Sequence, residues 1–334
     1  MALLLIDGFE GYGTLGITTS VAIRYPGAGA SNQSIVAGRT SGYGLRAYNN
    51  SFITSHLTTN PTLIAGAAFY LTTITSSTAL AFYDNAVLGV KITVYSTAPS
   101  TIAIVVDGTT VSTVDLHTTL LLNTWYYIEL KVYCHSTDGT IEVRVNGTTV
   151  ASLSGINTKI GTDSFYNRVL FGLYGWSQID DFYVCDGSSI SNNSFQGVCK
   201  VYAVYPNRDT DTIQWTTSTG LLHYTLIDEN PYITTDYVIS GTQAQTDLYQ
   251  YQTLNTTNTI KGIQISTIGK LASGLSTILE VPISSNSIVD VGDDITVSST
   301  QFGEALRISE TDPNTNEPWT TAGLAAVQIG LKIM

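Results

Sequence analysis

Asn146-Gly147 constrains this chain more than any other pair of residues. A two-residue hairpin turn of type I′ needs positive φ at both central positions, and Asn-Gly is the pair that adopts it most readily. Before it, Tyr126, Ile128, Leu130 and Val132 alternate with Tyr127, Glu129, Lys131 and Tyr133, and Ile141, Val143 and Val145 alternate with Glu142 and Arg144. Period two is the signature of strands with one buried face. The turn sets the register: Val145 is predicted opposite Thr148 and Val143 opposite Val150. Asp107-Gly108 repeats the device, with Val-Asp-Gly-Thr-Thr-Val matching Val-Asn-Gly-Thr-Thr-Val. Six residues of likeness point to shared turn chemistry and fall short of an internal duplication.

The same alternation predicts strands at Leu3–Ile6, Gly44–Tyr48, Thr62–Leu71, Ala79–Asp84, Val90–Ser96, Thr101–Val106, Thr109–Val114, Arg168–Tyr174 and Gln178–Cys185. A polar stretch, 188–196, reads as a linker. The charge balance shifts there, with 12 acids against 8 bases up to Gly187 and 14 against 6 after it. Beyond the linker, Val198–Tyr205 alternates like an opening strand, and Pro206–Tyr249 is a long polar region. Strands return at Thr259–Thr267, Ser276–Ile283, Asp294–Ser298 and Glu304–Glu310. Near the end, Pro318–Gln328 has the composition of a short helix, capped by Thr320 or Thr321, before a last strand from Gly330. The expected fold class is all-β: two tandem antiparallel β-sandwiches, residues 1–187 and 197–334, with one short helix near the C-terminus.

A Trp-led strand, a short turn and a strand ending in Val145-Asn146-Gly147 resemble the core of laminin-G and concanavalin A-like jelly rolls. The run from Trp176 to Gly187, with Asp180 and Asp181 inside it, resembles a signature of bacteriophage virion proteins. So do Asn192–Gly197, Gln214-Trp215-Thr216, Ile227–Pro231, Glu310–Pro313 and Trp319-Thr320. The resemblance implies a jelly-roll first domain in a virion structural protein, made in the host bacterial cytoplasm. Its partners would be other virion proteins and copies of itself, a trimer being one arrangement. Capsid decoration, head fibre and tail appendage all fit.

Charge and motif searches narrow the chemistry. A net charge of −12 offers no basic surface for nucleic acid. No run approaches the roughly 20 apolar residues of a membrane helix. Cys134, Cys185 and Cys199 are too few for a disulfide scaffold, and His56, His117, His135 and His223 lack metal-ligand spacing. Paired catalytic carboxylates on one strand are missing. Glu129 and Glu142, beside Lys131 and Arg144, read as cross-strand charge pairs on a wet face. The expectation is therefore a non-enzymatic surface component of the particle. Two binding sites are weighed beside it. Trp176, Tyr174, Tyr12, Tyr43 and Tyr48 fall on turns or loops and could stack on sugar rings. That alternative is a lectin-like module reading host surface glycan, with a polysaccharide depolymerase behind it. Asp7 and Glu10 should lie near Asp180 and Asp181 if the first and last strands of the sandwich are neighbours, and four hard oxygen ligands could hold calcium.

Overall fold

The computed structural model describes residues 2–13, 24–25, 33–47, 51–55, 58–73, 76–172 and 176–334, side chains of 47, 51–55, 176 and 177 excepted. The chain divides into two compact units, Met1–Val201 and Tyr202–Met334.

The first unit contains fourteen described strands: β1 (Leu3–Asp7), β2 (Gln33–Ala37), β3 (Tyr43–Ala47), β4 (Ser51–Ser55), β5 (Thr62–Leu71), β6 (Ser76–Asp84), β7 (Val87–Tyr95), β8 (Thr101–Val106), β9 (Thr109–Asp115), β10 (Thr124–Tyr133), β11 (Gly139–Val145), β12 (Thr148–Ile156), β13 (Arg168–Gly172) and β14 (Trp176–Asp186). They form two antiparallel sheets. One has eight strands in the order β12-β11-β10-β5-β14-β3-β2, with β1 also on β14; the other runs β4-β13-β6-β7-β8-β9. The inward residues Leu63, Ala65, Ala67, Phe69 and Leu71 of β5 and Ile128, Leu130 and Val132 of β10 meet Leu80, Phe82, Val90, Ile92, Val169 and Phe171 in one core. Phe171 and Phe182 are its closest described ring pair, at 4.7 Å. This is the expected jelly-roll sandwich.

Both hairpins turn as their sequences demand. Asn146 and Gly147 take φ of 50° and 80°, Asp107 and Gly108 48° and 73°. Asn146 adds a clamp: its N–H donates to the Tyr127 carbonyl at 2.7 Å, and its Oδ1 accepts from the Tyr127 N–H at 2.8 Å. Val145 lies opposite Thr148, but Val143 lies opposite Ala151 instead of Val150. A β-bulge is the reason, because an extra residue on one strand advances the register by one. The first hairpin bulges at the equivalent place, pairing Val105 with Thr110 and Ile104 with Ser112. The likeness of the two hairpins thus extends from the turn into the bulge.

β14 is long enough to serve two strands on one edge. Gln178 and Ile179 pair with β3, and Phe182 to Cys185 pair with β1. The ladder to β5 slips between Asp180 and Tyr183, where Asp181 takes a φ of 49°. A fork therefore opens at Asp180-Asp181, between the end of β1 and the start of β3.

The second unit has a seven-stranded sheet built on Pro206–Ile213, Thr246–Tyr251, Gln328–Ile333 and shorter segments, and two two-stranded sheets. Val281, Ile283, Trp319, Val327 and Ile329 make its core. The helix forms at Thr321–Ala326, and the Thr320 side chain accepts from Gly323 N–H, the expected cap. Two expectations fail. Pro206–Ile213 is a strand without apolar alternation, paired on one side only, where a leading proline is tolerated. Val198–Tyr205 is not a strand.

Candidate functional site

The fork at Asp180-Asp181 gathers the four expected acids at one end of the sandwich, each already supplied with donors. Asp7 Oδ2 accepts from the hydroxyls of Tyr12 and Tyr25, both at 2.5 Å, and from Arg24 Nη1 at 2.7 Å; Oδ1 accepts from Phe9 N–H. Asp181 pairs with Arg39 at 2.8 Å and takes the Val201 N–H. Asp180 takes the N–H groups of Arg39 and Asp181, and Glu10 that of Tyr43. Burial, then the neighbouring Asp181, pushes Asp180 upward, and burial pushes Glu10 up to about 7. Arginines and hydroxyl protons stand where calcium would need bare oxygens. Among the described residues no group of three or more His, Cys, Asp or Glu is placed to hold a metal.

Of the expected sugar platform, the structure describes the side chains of Tyr12 and Tyr43 alone. Tyr12 is buried with its hydroxyl on Asp7, and Tyr43 packs against the core. Tyr174 and Tyr48 lie outside the described residues, as does the side chain of Trp176.

A different face draws the aromatic and charged groups together. The outward residues of β10 are Trp125, Tyr127, Glu129, Lys131 and Tyr133, with His135 just beyond the strand. Trp125 packs its ring on Tyr70 of β5 at 5.2 Å, and Tyr133 stacks on His135 at 5.7 Å and 10°. His135 Nδ1 accepts from the N–H groups of Thr137 and Asp138, which leaves the Nε2 proton as the ring's donor in the neutral form. Both ends of this row are partly exposed.

Its middle is covered. Residues 192–201, expected as linker and strand, cross the outer surface of the sheet without regular structure. Gly197 N–H donates to Glu129 Oε1 at 2.9 Å and Gln196 N–H to the Tyr183 hydroxyl at 3.1 Å. Cys199 Sγ lies 2.8 Å from the Tyr127 hydroxyl, and the Phe195 ring sits over the Arg144 guanidinium at 4.2 Å. Glu129 is therefore not on a wet face: it is 0% exposed. Tyr183 donates to its Oε1 at 2.6 Å, while Oε2 is buried with no hydrogen-bond partner. Burial raises its carboxyl above the ordinary range. Glu142 is partly exposed as expected, but its charge partner is Arg144 of its own strand, at 3.1 Å, and not a residue across the ladder. Nothing in the sequence marks Glu129, because an acid two residues from a lysine looks the same whether or not a segment later folds over it.

In the second unit Asp247, 0% exposed, is a saturated hub. It takes the N–H groups of Gln214 and Trp215, His223 Nδ1 at 2.7 Å and the Tyr249 hydroxyl at 2.9 Å.

No protein-family profile and no curated protein matches the chain. Solved structures do. Alginate lyase Aly36B is similar over 55% of this chain and 96% of its own, at 14% identity and a TM-score of 0.42. An endo-β-1,4-glucuronan lyase from Trichoderma reesei matches over 52% and 93%, at 13% and 0.36. A galectin from Caenorhabditis elegans matches over 40% and 88%, at 13% and 0.30. Likeness at this level is one of fold. The neighbours are sugar-binding proteins and polysaccharide lyases, and none points to a phage origin. The expectation of a non-enzymatic virion structural protein has no counterpart among these neighbours, which include two polysaccharide lyases, and it is set aside.

Proposed function

We propose that the first unit binds and cleaves a polysaccharide laid along the outer face of its eight-stranded sheet. The observation that carries this is the row on β10, with an aromatic pair at one end and a cation, a phenol and an imidazole donor at the other. From Trp125 to Tyr133 the strand advances eight residues, about 27 Å, long enough for an oligosaccharide. Ring faces suit the apolar sides of sugars, and hydroxyl, ammonium and imidazole N–H groups suit their oxygens.

The chemistry that this row supports is β-elimination on a uronate-containing chain. Lys131 would neutralise the sugar carboxylate, which acidifies the adjoining C5 proton. Tyr133, two residues along on the same face, would take that proton as a phenolate. The glycosidic C4–O bond then breaks, a C4–C5 double bond forms, and the phenol so formed would pass the proton on to the departing oxygen, which the His135 Nε2–H would steady with a hydrogen bond.

The test is incubation with alginate, glucuronan and a neutral glucan, following the ultraviolet absorbance of the unsaturated product end. The expected result is release from a uronate polymer, abolished in Tyr133→Phe and lowered more than tenfold in Lys131→Ala. Selective binding without product would reduce the unit to a lectin-like module. Neither binding nor product from any polymer would refute the proposal.

A further inference from the structure

We infer that the segment Asn192–Val201 is a releasable strap seated on the middle of this face, and that Glu129 and Tyr183 beneath it form a saccharide-binding subsite which the strap's own amides occupy. The inference rests on the polysaccharide reading and adds a site and its control.

What the strap covers is the first reason. A permanent cover normally packs apolar surface on apolar surface, because polar groups taken from water lose free energy unless each is bonded. Here the strap lies on a carboxyl, two phenol hydroxyls and a guanidinium face. Glu129 Oε2 is left buried without a partner, and a native structure seldom strands such an atom unless another occupant satisfies it. A sugar hydroxyl is such an occupant, since it both donates and accepts. The carboxyl, tyrosine hydroxyl and arginine are groups that recognise sugar oxygens, and the Phe195 ring lies where an apolar sugar face would cover Arg144.

How the strap is held is the second reason. Each contact just named runs through a side chain of the sheet or the strap, with no ladder of backbone bonds joining the two. Cys199 Sγ on Tyr127, Gly197 N–H on Glu129 and Phe195 on Arg144 can separate in turn while β10, β5 and β14 keep their pairing, the strap staying hinged at its far end, where Arg39 holds the Cys199 carbonyl and Asp181 the Val201 N–H. Opening of this kind belongs to the least stable regions of a fold.

Two cysteines report on it separately. Cys185 is 0% exposed, with its Sγ 3.7 Å from the strap carbonyl of Ser194. Cys134 lies in the sandwich core, so it reacts only when the sandwich opens. The experiment is alkylation of the native full chain with iodoacetamide, mapped by peptide mass, for the wild type and Phe195→Ala. Cys185 is expected to react faster than Cys134 in the wild type, and about tenfold faster again in Phe195→Ala, which loses the contact with Arg144. Equal rates at Cys185 and Cys134 in both proteins would show that the segment is a fixed wall, and would overturn the inference.

The second arm titrates an alginate tetrasaccharide. The probe is expected to bind Phe195→Ala about tenfold more tightly than the wild type, because the competent state no longer has to displace the strap. Adding Tyr183→Phe should remove that gain, and the probe should speed Cys185 labelling in the wild type. Equal affinity with unchanged labelling overturns the subsite while leaving the polysaccharide reading intact. Binding to neither protein, in an assay where Cys185 labelling shows release, overturns the saccharide assignment and leaves the strap's release standing on the thiol data.

Discussion

Asp7 and Glu129 are two buried carboxylates on one sheet with opposite surroundings. Asp7 ends β1, and four donors converge on it, one of them the Arg24 guanidinium at 2.7 Å. Glu129 sits mid-strand on β10, and its two donors, the Tyr183 hydroxyl and the Gly197 N–H, are both neutral and both on one oxygen. The first arrangement keeps a charge in place and ties the start of the chain to the sandwich. The second favours the proton-bearing form and leaves an atom unanswered. Fully answered buried groups serve the fold, whereas raised and half-answered ones are candidates for function.

The largest effect should come from the fully answered acid. Asp7→Ala would leave Arg24, two tyrosine hydroxyls and the Phe9 N–H without their acceptor. Breaking a buried pair from one side costs about 3–5 kcal/mol, which a urea unfolding midpoint would register. A loss below about 1 kcal/mol would mean that Asp7 is not the tie it looks to be. Tyr183→Phe comes next. It removes one hydroxyl that donates to Glu129 and accepts from Gln196, each bond contributing about 1 kcal/mol, and it should cost stability without releasing the sandwich core.

Much of this was legible in the sequence, and the exceptions have physical reasons. The strands of the first unit follow from period-two alternation, and β5 and β8 fall where it places them. The turns follow because Asn146-Gly147 and Asp107-Gly108 accept positive φ at both positions. The bulge was hidden because Val150 and Ala151 are both apolar, so the alternation does not say which one faces Val143. Residues 198–205 alternate like a strand, yet Val198, Tyr202 and Val204 are exposed, and near its start the chain is held by side chains instead of a ladder. The acid cluster was anticipated because neighbouring first and last strands bring Asp7 close to Asp180 and Asp181. Its arginines, 24 and 39, were not, since neither lies on a strand and period-two alternation gives no register outside strands.

Glu129→Gln sharpens the contrast. The amide keeps an oxygen for Tyr183 and Gly197 and cannot ionise, so the variant should differ from the wild type by less than about 1 kcal/mol at pH 5. The sign of its pH dependence follows from the raised carboxyl. In the wild type the folded chain holds the proton more tightly than the unfolded one, so stability is full below the ordinary value of 4.5 and falls as pH rises through the folded value. Glu129→Gln should therefore gain on the wild type at pH 8, read as a smaller drop in Tm from pH 5 to pH 8. An unchanged drop would show that Glu129 ionises as readily as an exposed acid.

Glu10 lies between the two extremes and should give the smallest change. It is partly exposed, with its Tyr43 N–H donor at 3.0 Å. Burial raises it to about 7 against the opposing pull of that donor; Asp181 and Asp7 add to the rise and Lys200 opposes it. The same sign applies: stability from this group is full below about 4.5 and is lost as pH climbs to about 7. Solvent screens some of the effect, so Glu10→Gln should flatten the Tm profile in that window less than Glu129→Gln does. Asp180, raised by burial and by Asp181, keeps its own share in the variant. If Glu10→Gln flattened the profile more than Glu129→Gln, the fork at Asp180-Asp181 would be the main proton-linked site of the sandwich, and the covered face on β10 would be the quieter one.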